Sequence, residues 1–212
     1  MSGVGWKSAR WLIIDGEMTG LDAESDRIVE LGAVWFQSGE VVDRRNMLIN
    51  PGMPIPAESS EIHGIRNEHV EGKPALADVA EAFCAHVRAA DVLVGYNVWF
   101  DIGFLDGQCP GFCEAREGIP VIDPIVLVRE AGRYWSGKGR HKLTSVCERL
   151  GIALEGAAHR ASTDCIATAR VMERFIDMLP DDAVEAAAKC AALKIEQDER
   201  FQEWLAKQPP RE

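Results

Sequence analysis

Residues 11–21 read Trp11-Leu12-Ile13-Ile14-Asp15-Gly16-Glu17-Met18-Thr19-Gly20-Leu21, and this stretch decides the fold. Consecutive large apolar residues from Trp11 to Ile14 describe a strand covered on both faces, which belongs at the centre of a sheet. The run ends in Asp15 and Glu17, two positions apart, so an extended backbone points both carboxylates to one face. Downstream, residues 28–36 form a second apolar run, Ser38-Gly39 supplies a turn, and residues 41–49 follow. These three segments read as strands that begin antiparallel and are joined partly by a hairpin. Asn50-Pro51-Gly52-Met53-Pro54-Ile55-Pro56 holds too much proline for helix or central strand and reads as a surface loop.

Beyond the loop the period changes. Leu76, Val79, Ala80, Phe83 and Val87 recur every three or four positions, which predicts an amphipathic helix over 75–87. Residues 91–95 and Val121-Ile122 are short buried strands, and Asp123-Pro124 is an N-cap followed by proline at the first helical position, opening a helix over 125–131. Residues 142–150 are helical with Gly151 as the C-cap, and 161–179 form a longer helix ended by Pro180. Strand and helix alternation of this kind makes parallel strands. The whole is therefore expected to be an α/β fold, a mixed sheet flanked by helices. One domain over 1–180 is followed by a helical extension over 181–212, capped by Asp181 or Asp182, whose apolar residues pack on its own domain or on a partner.

A chain of 212 residues with 47% hydrophobic and 27% charged residues can bury a core without disulfides or a structural metal. Its six cysteines are scattered and read as reduced thiols, and Cys109 and Cys113 lack the second ligand pair that zinc requires. No apolar run reaches the ~20 residues that span a bilayer, so a soluble, cytoplasmic protein without membrane contact is expected. The formal net charge of −11 argues against a protein that coats nucleic acid through a broad basic face. Acidity remains compatible with phosphate chemistry where cations mediate.

Three segments carry the chemistry. Asp15 and Glu17 repel unless a cation lies between them, and hard divalent ions take oxygen ligands of this type. Asp101 stands among apolar neighbours in Asn97-Val98-Trp99-Phe100-Asp101, just past the carboxyl end of a strand, where α/β sheets gather ligand sites. Trp99 beside it reads as core or pocket wall. In His159-Arg160-Ala161-Ser162-Thr163-Asp164, Asp164 borders the apolar stripe of the long helix, and His159, at or before its first turn, can take a proton from water.

Taken in order, Asp-x-Glu, Asn-x-x-x-Asp and His-x-x-x-x-Asp closely resemble the motifs of DEDDh-type 3′–5′ exonucleases, the group containing the epsilon proofreading subunit of bacterial replicative DNA polymerase, ribonuclease T and oligoribonuclease. The resemblance runs from about Trp11 to Leu179. Ile62-His63-Gly64-Ile65 and the segment from Phe100 to Asp106 look like the epsilon type, as does the third motif, whereas Glu17-Met18-Thr19-Gly20-Leu21 looks like oligoribonuclease. The resemblance implies a ribonuclease-H-like fold and two divalent cations, Mg²⁺ or Mn²⁺, held by Asp15, Glu17, Asp101 and Asp164, with His159 as general base. It also implies a terminal nucleotide bordered by Met18, Thr19, Leu21, His63 and Phe100. The expected activity is release of nucleoside 5′-monophosphates from single-stranded 3′ ends, DNA favoured. An RNA-directed exoribonuclease and a non-catalytic nucleic-acid-binding module of a polymerase complex are the alternatives. A homodimer and a DNA polymerase are both open as protein partners, and no Gln-x-x-Leu-x-Phe clamp peptide is evident. Residues 129–142, with Arg129, Arg133, Lys138, Arg140 and Lys142 around Tyr134 and Trp135, fit either a substrate arm or a solvated loop.

Overall fold

The computed structural model describes residue 5, residues 7–154 and residues 160–208. Its sheet holds β1 (Trp11–Met18), β2 (Ile28–Gln37), β3 (Glu40–Leu48), β4 (Val92–Val94) and β5 (Val121–Ile122), in the order β3-β2-β1-β4-β5. β1 pairs antiparallel with β2 and parallel with β4, which makes the sheet mixed, and β1 is its centre as the apolar run demands. The strand continues beyond Ile14 through Asp15 and Glu17 to Met18, because β2 goes on pairing with it as far as Ile28. The carboxylates therefore sit within the strand and not just past it.

The helices are α1 (Ala57–His63), α2 (Asn67–Val70), α3 (Leu76–Arg88), α4 (Val98–Gln108), α5 (Phe112–Ala115), α6 (Pro124–Ala131), α7 (Leu143–Leu150), α8 (Ala161–Phe175) and α9 (Ala183–Ala206). α8 stops at Phe175 and tightens into a 3-10 turn over Ile176–Met178, earlier than the stripe to Leu179 predicts. α9 begins at Asp182, whose carboxylate accepts from the amides of Val184 and Glu185. The amphipathic period of its first turns is used on its own domain, where Ala186 and Cys190 are buried.

Alternation along β1 sorts the two sides of the core. Trp11 and Ile13 pack with α6, α7, α8 and α9, while Leu12 and Ile14 pack with α3, α4 and α5. The same alternation directs Asp15 and Glu17 to the α8 side and Gly16 to the α4 side. α8 can lie close against this face because residue 32 of β2 is glycine. A Cβ added there would stand 2.6 Å from the Ala161 carbonyl carbon and 2.7 Å from the Ser162 nitrogen, both backbone atoms that cannot rotate away. Gly32 is also the register partner of Asp15, so the closest approach of helix and sheet falls level with the first carboxylate.

The sequence makes Trp99 core or pocket wall, yet it is 39% exposed. Helical periodicity on α4 turns Val98, Asp101, Ile102 and Leu105 inward and leaves Trp99 on the opposite side. Among the described residues all six cysteines are free, and none of the described helices is long and apolar enough to cross a membrane.

Gly32→Ala should lower stability by about 1–3 kcal/mol, the cost of overpacking a closely fitted contact. Urea unfolding measures this, and an unchanged midpoint would show that α8 moves off the sheet freely.

Candidate metal centre and substrate cleft

The α8 side of β1 carries Asp15 and Glu17, and the first turn of α8 carries Asp164. One carboxylate oxygen from each lies within 4.8 Å of the others. Asp101 reaches the same place from α4, on the other side of the strand. Its Oδ1 accepts a hydrogen bond of 2.9 Å from the Gly16 amide, and the absence of a side chain at Gly16 opens the way to it. The structure thus brings together the four carboxylates that the sequence singles out. His159 lies outside the described residues.

The electrostatics of this cluster are those of anions in want of a cation. Asp15 is raised well above the ordinary carboxylate range, first by burial and then by the charges of Asp101, Asp164, Glu17 and Glu30. Glu17 is pushed up to about 8 by burial, with Asp164, Glu30 and Asp101 adding to it and the Arg160 guanidinium acting the other way. Asp101 is likewise pushed up to about 8 by burial, against the lowering effect of the Gly16 hydrogen bond. Asp15 and Glu17 keep a solvent-facing edge, so an ion can reach them. Three oxygen donors that converge this closely and resist ionising together fit a hard divalent cation, which would neutralise them and take them as ligands.

Two residues that build the centre are absent from the sequence reading. Glu30, directly across the β1–β2 ladder from Glu17, is fully buried. Its carboxylate accepts from Arg160 Nη2 at 2.6 Å and Nε at 3.0 Å, from the Ala161 amide at 2.9 Å and from Asn46 Nδ2 at 2.7 Å. Asn46, on β3, in turn accepts from the Ser162 amide through Oδ1 at 3.1 Å. The first amides of a helix have no partner within it, and here two strands supply the acceptors in place of a local N-cap side chain. The available signal was Glu30 itself, a charge inside Ile28-Val29-Glu30-Leu31, since a charge buried in an apolar strand must be paired.

The residues expected around a terminal nucleotide fall into two kinds. Leu21 is 85% exposed, an apolar surface open to solvent. Met18, Thr19 and His63 are buried, and Phe100 is half-buried. The Thr19 hydroxyl donates to Asp26 and accepts from the Arg27 amide, and His63 Nδ1 accepts from the Ile65 amide, so both side chains also hold local structure.

From Asp164 a cleft of about 610 Å³ opens between Tyr96 and Asn97 on one side and Arg129, Arg140, His141 and Lys142 on the other. Asn97 takes up a left-handed conformation (φ 62°) at the start of α4, one that asparagine tolerates, and its amide donates to Asp123, the N-cap of α6. The segment between α6 and α7 is anchored. Tyr96 donates to the His141 carbonyl at 2.6 Å, and Trp135 packs on the core with the Arg149 guanidinium 4.7 Å above its ring. Of its two aromatic residues only Tyr134, 91% exposed, is open to a ligand.

A mixed sheet with a carboxylate cluster at the end of its central strand is the architecture of ribonuclease-H-like nucleases, and comparison with known proteins bears on it directly. Residues 12–172 match the family model described as Exonuclease, RNase_T, and the chain belongs to that family. It is 32% identical over 189 residues to the DNA polymerase III PolC-type of Thermotoga petrophila, an alignment covering 89% of this chain and 13% of that polymerase. The chain thus spans about an eighth of the length of that relative. Among solved structures it resembles exonuclease X in complex with 5′ overhanging duplex DNA, with TM-score 0.65, 25% identity and coverage of 84% of this chain and 98% of that one. Its fold also matches E. coli exonuclease I in complex with a dT13 oligonucleotide, with TM-score 0.65, 18% identity and coverage of 80% and 43%.

A pH dependence follows from the raised carboxylates. Glu17 and Asp101 titrate higher in the fold than in the unfolded chain, from 4.5 and 3.8 to about 8 in each case. Their protonated forms therefore favour the fold, fully at acid pH, and this contribution is lost as pH rises towards 8. In chelator the melting temperature should fall between about pH 5 and 8, and Mn²⁺ should restore it at the upper end. A flat profile in differential scanning fluorimetry, with or without Mn²⁺, would contradict the cluster's electrostatics.

Proposed function

We propose that the chain is a 3′–5′ exonuclease that removes nucleoside 5′-monophosphates from single-stranded ends, DNA in preference to RNA. The observation that carries this reading is the convergence of Asp15, Glu17 and Asp164 oxygens within 4.8 Å, with Asp101 beside them, in a member of an exonuclease family. Exonuclease X is known in complex with 5′ overhanging duplex DNA and exonuclease I with a dT13 oligonucleotide, and the PolC-type relative is a DNA polymerase, which supports the choice of DNA.

Asp15, Glu17 and Asp164 would hold two divalent cations, Mg²⁺ or Mn²⁺, with Asp101 completing the set. When bound, such ions supply hydroxide at neutral pH and stabilise charge on the leaving 3′ oxygen. The chain's own residues do the rest. His159 takes the proton that water loses as its oxygen attacks the phosphorus. The bond from phosphorus to the 3′ oxygen of the penultimate nucleotide then breaks, and the terminal nucleotide leaves with its 5′ phosphate. Arg160, next to His159, is fixed on Glu30, which restrains the chain where the base must be placed. Leu21, Met18 and Phe100 offer apolar surface to the terminal base, and His63 and Thr19 shape the wall around it. In this reading a polymerase or a second copy of the chain is a partner in place and not in chemistry, because all four carboxylates come from one chain.

The sequence Glu17-Met18-Thr19-Gly20-Leu21 favours the RNA-directed reading, and matched substrates separate the two. With 5′-labelled DNA and RNA oligomers of equal sequence, a ladder shortening from the 3′ end should appear with Mg²⁺ or Mn²⁺. It should vanish in EDTA and in Asp15→Ala, and the DNA rate should exceed the RNA rate. His159→Ala should lower kcat by about 10²- to 10⁴-fold, as loss of a general base does. No ladder on either substrate would overturn the exonuclease, a faster RNA ladder would overturn the DNA preference, and unchanged kcat would overturn the role of His159.

A further inference from the structure

We propose that the strand behind the scissile phosphate runs along a basic trough that ends on α9, which makes this helix part of the substrate-binding surface. The inference rests on the exonuclease reading above and extends it to the nucleotides upstream of the reacting one.

The cleft that begins at Asp164 shares Arg129, Arg140 and His141 with a second cleft of about 630 Å³. The far wall of the second cleft is Arg133 with Arg200 and Phe201 of α9. The shared side chains set the two clefts next to one another, the first reaching Asp164 and the second reaching Arg200 and Phe201 near the end of α9.

Charge along this path runs opposite to that of the protein. On a chain of net charge −11, Arg129, Arg133, Arg140, Lys142 and Arg200 line the two clefts. The acids among the lining residues are Asp164, which belongs to the carboxylate cluster, and Asp198, which already accepts from Lys194 at 2.5 Å. Glu130, just behind the wall, is shared between Arg133 and Arg200. Arg129, Arg140 and Lys142 have no ion pair among the described residues. Their field is felt at His141, whose pKa is lowered first by burial and further by Arg140, Arg129 and Arg149. Arg129 and Arg140, guanidinium groups in the groove without an ion pair among the described residues, suit the phosphates of a polyanion, which Arg binds in a bidentate manner, and Arg133 and Arg200 share one carboxylate between two charges.

The far end adds a surface for bases. Phe201 and Trp204 are stacked at 5.9 Å with an interplanar angle of 18°, and they remain 55% and 51% exposed. A base can stack on such a ring without sequence preference, which suits an enzyme that takes any strand. α9 is seated firmly enough to present them. Ala186 and Cys190 are buried in the core, and Gln197 Nε2 donates to the Val126 carbonyl at 2.8 Å.

The test compares a trinucleotide, which occupies the cleft beside Asp164 alone, with a dodecanucleotide that reaches α9. The ratio of kcat/KM for the longer over the shorter DNA should fall at least fivefold in Arg200→Ala and in Phe201→Ala, through KM for the longer substrate. The slope of log Kd against log salt for the dodecanucleotide should decrease by about 0.7 in Arg200→Ala, one phosphate contact on a single strand, and Arg200→Lys should restore it. An unchanged length ratio with an unchanged salt slope would overturn the trough. If the unaltered protein cleaves neither substrate, the exonuclease reading fails and the trough is judged by fluorescence anisotropy with the same DNA. Weaker dodecanucleotide binding by Arg200→Ala then supports it, and equal binding overturns it.

Discussion

Everything at the carboxylate cluster depends on how the first turn of α8 is seated on β2. A helix that begins against a sheet brings unpaired amides into a place without water, and Glu30 and Asn46 meet that demand from two neighbouring strands. Arg160 neutralises Glu30 as it does so, and burial of an unpaired carboxylate there would cost far more than the pair. Gly32 removes the side chain that would hold the helix away. These contacts fix the height and rotation of α8, and Asp164 is delivered to Asp15 and Glu17 as a consequence.

That delivery is unfavourable in itself. Burial raises Asp15, Glu17 and Asp101, and neighbouring carboxylates raise Asp15 and Glu17 further, so the fold stores a site that a cation or protons can relieve. Arg160, whose charge is felt at Glu17, is committed to Glu30. Local stability is thus given up at the place where chemistry needs a fixed, incompletely neutralised set of oxygens. Under the proposed function, the same reasoning reconciles an acidic protein with a polyanionic substrate. Bound cations would turn the sign of the field at the carboxylates, and the arginines of the adjoining clefts would carry it outward.

Much of this was legible in the residues. The apolar run from Trp11 to Ile14 places β1 at the centre, and its alternation puts Asp15 and Glu17 on one face. The caps at Asp123 and Gly151 were readable because capping is local. What escaped was non-local. Glu30, Asn46 and Gly32 matter through contacts with residues more than a hundred positions away, and no period or spacing announces them. Of the two places open to Trp99, the core is excluded only by the rotation of α4, which a tryptophan among apolar neighbours does not reveal. The early stop of α8 has the same origin, since the apolar stripe runs on to Leu179 while the backbone tightens at Ile176. Motif spacing located the carboxylates, and tertiary packing decided how they meet.

The central claim is that the carboxylates assembled by α8 and β1 form a divalent-cation site. Calorimetric titration with Mn²⁺ measures it most directly. The account predicts binding to the unaltered protein with release of protons, more protons per ion at pH 6 than at pH 8, and loss of that binding in Asp15→Asn. Undiminished Mn²⁺ binding by Asp15→Asn, or binding without proton release at pH 6, would contradict it.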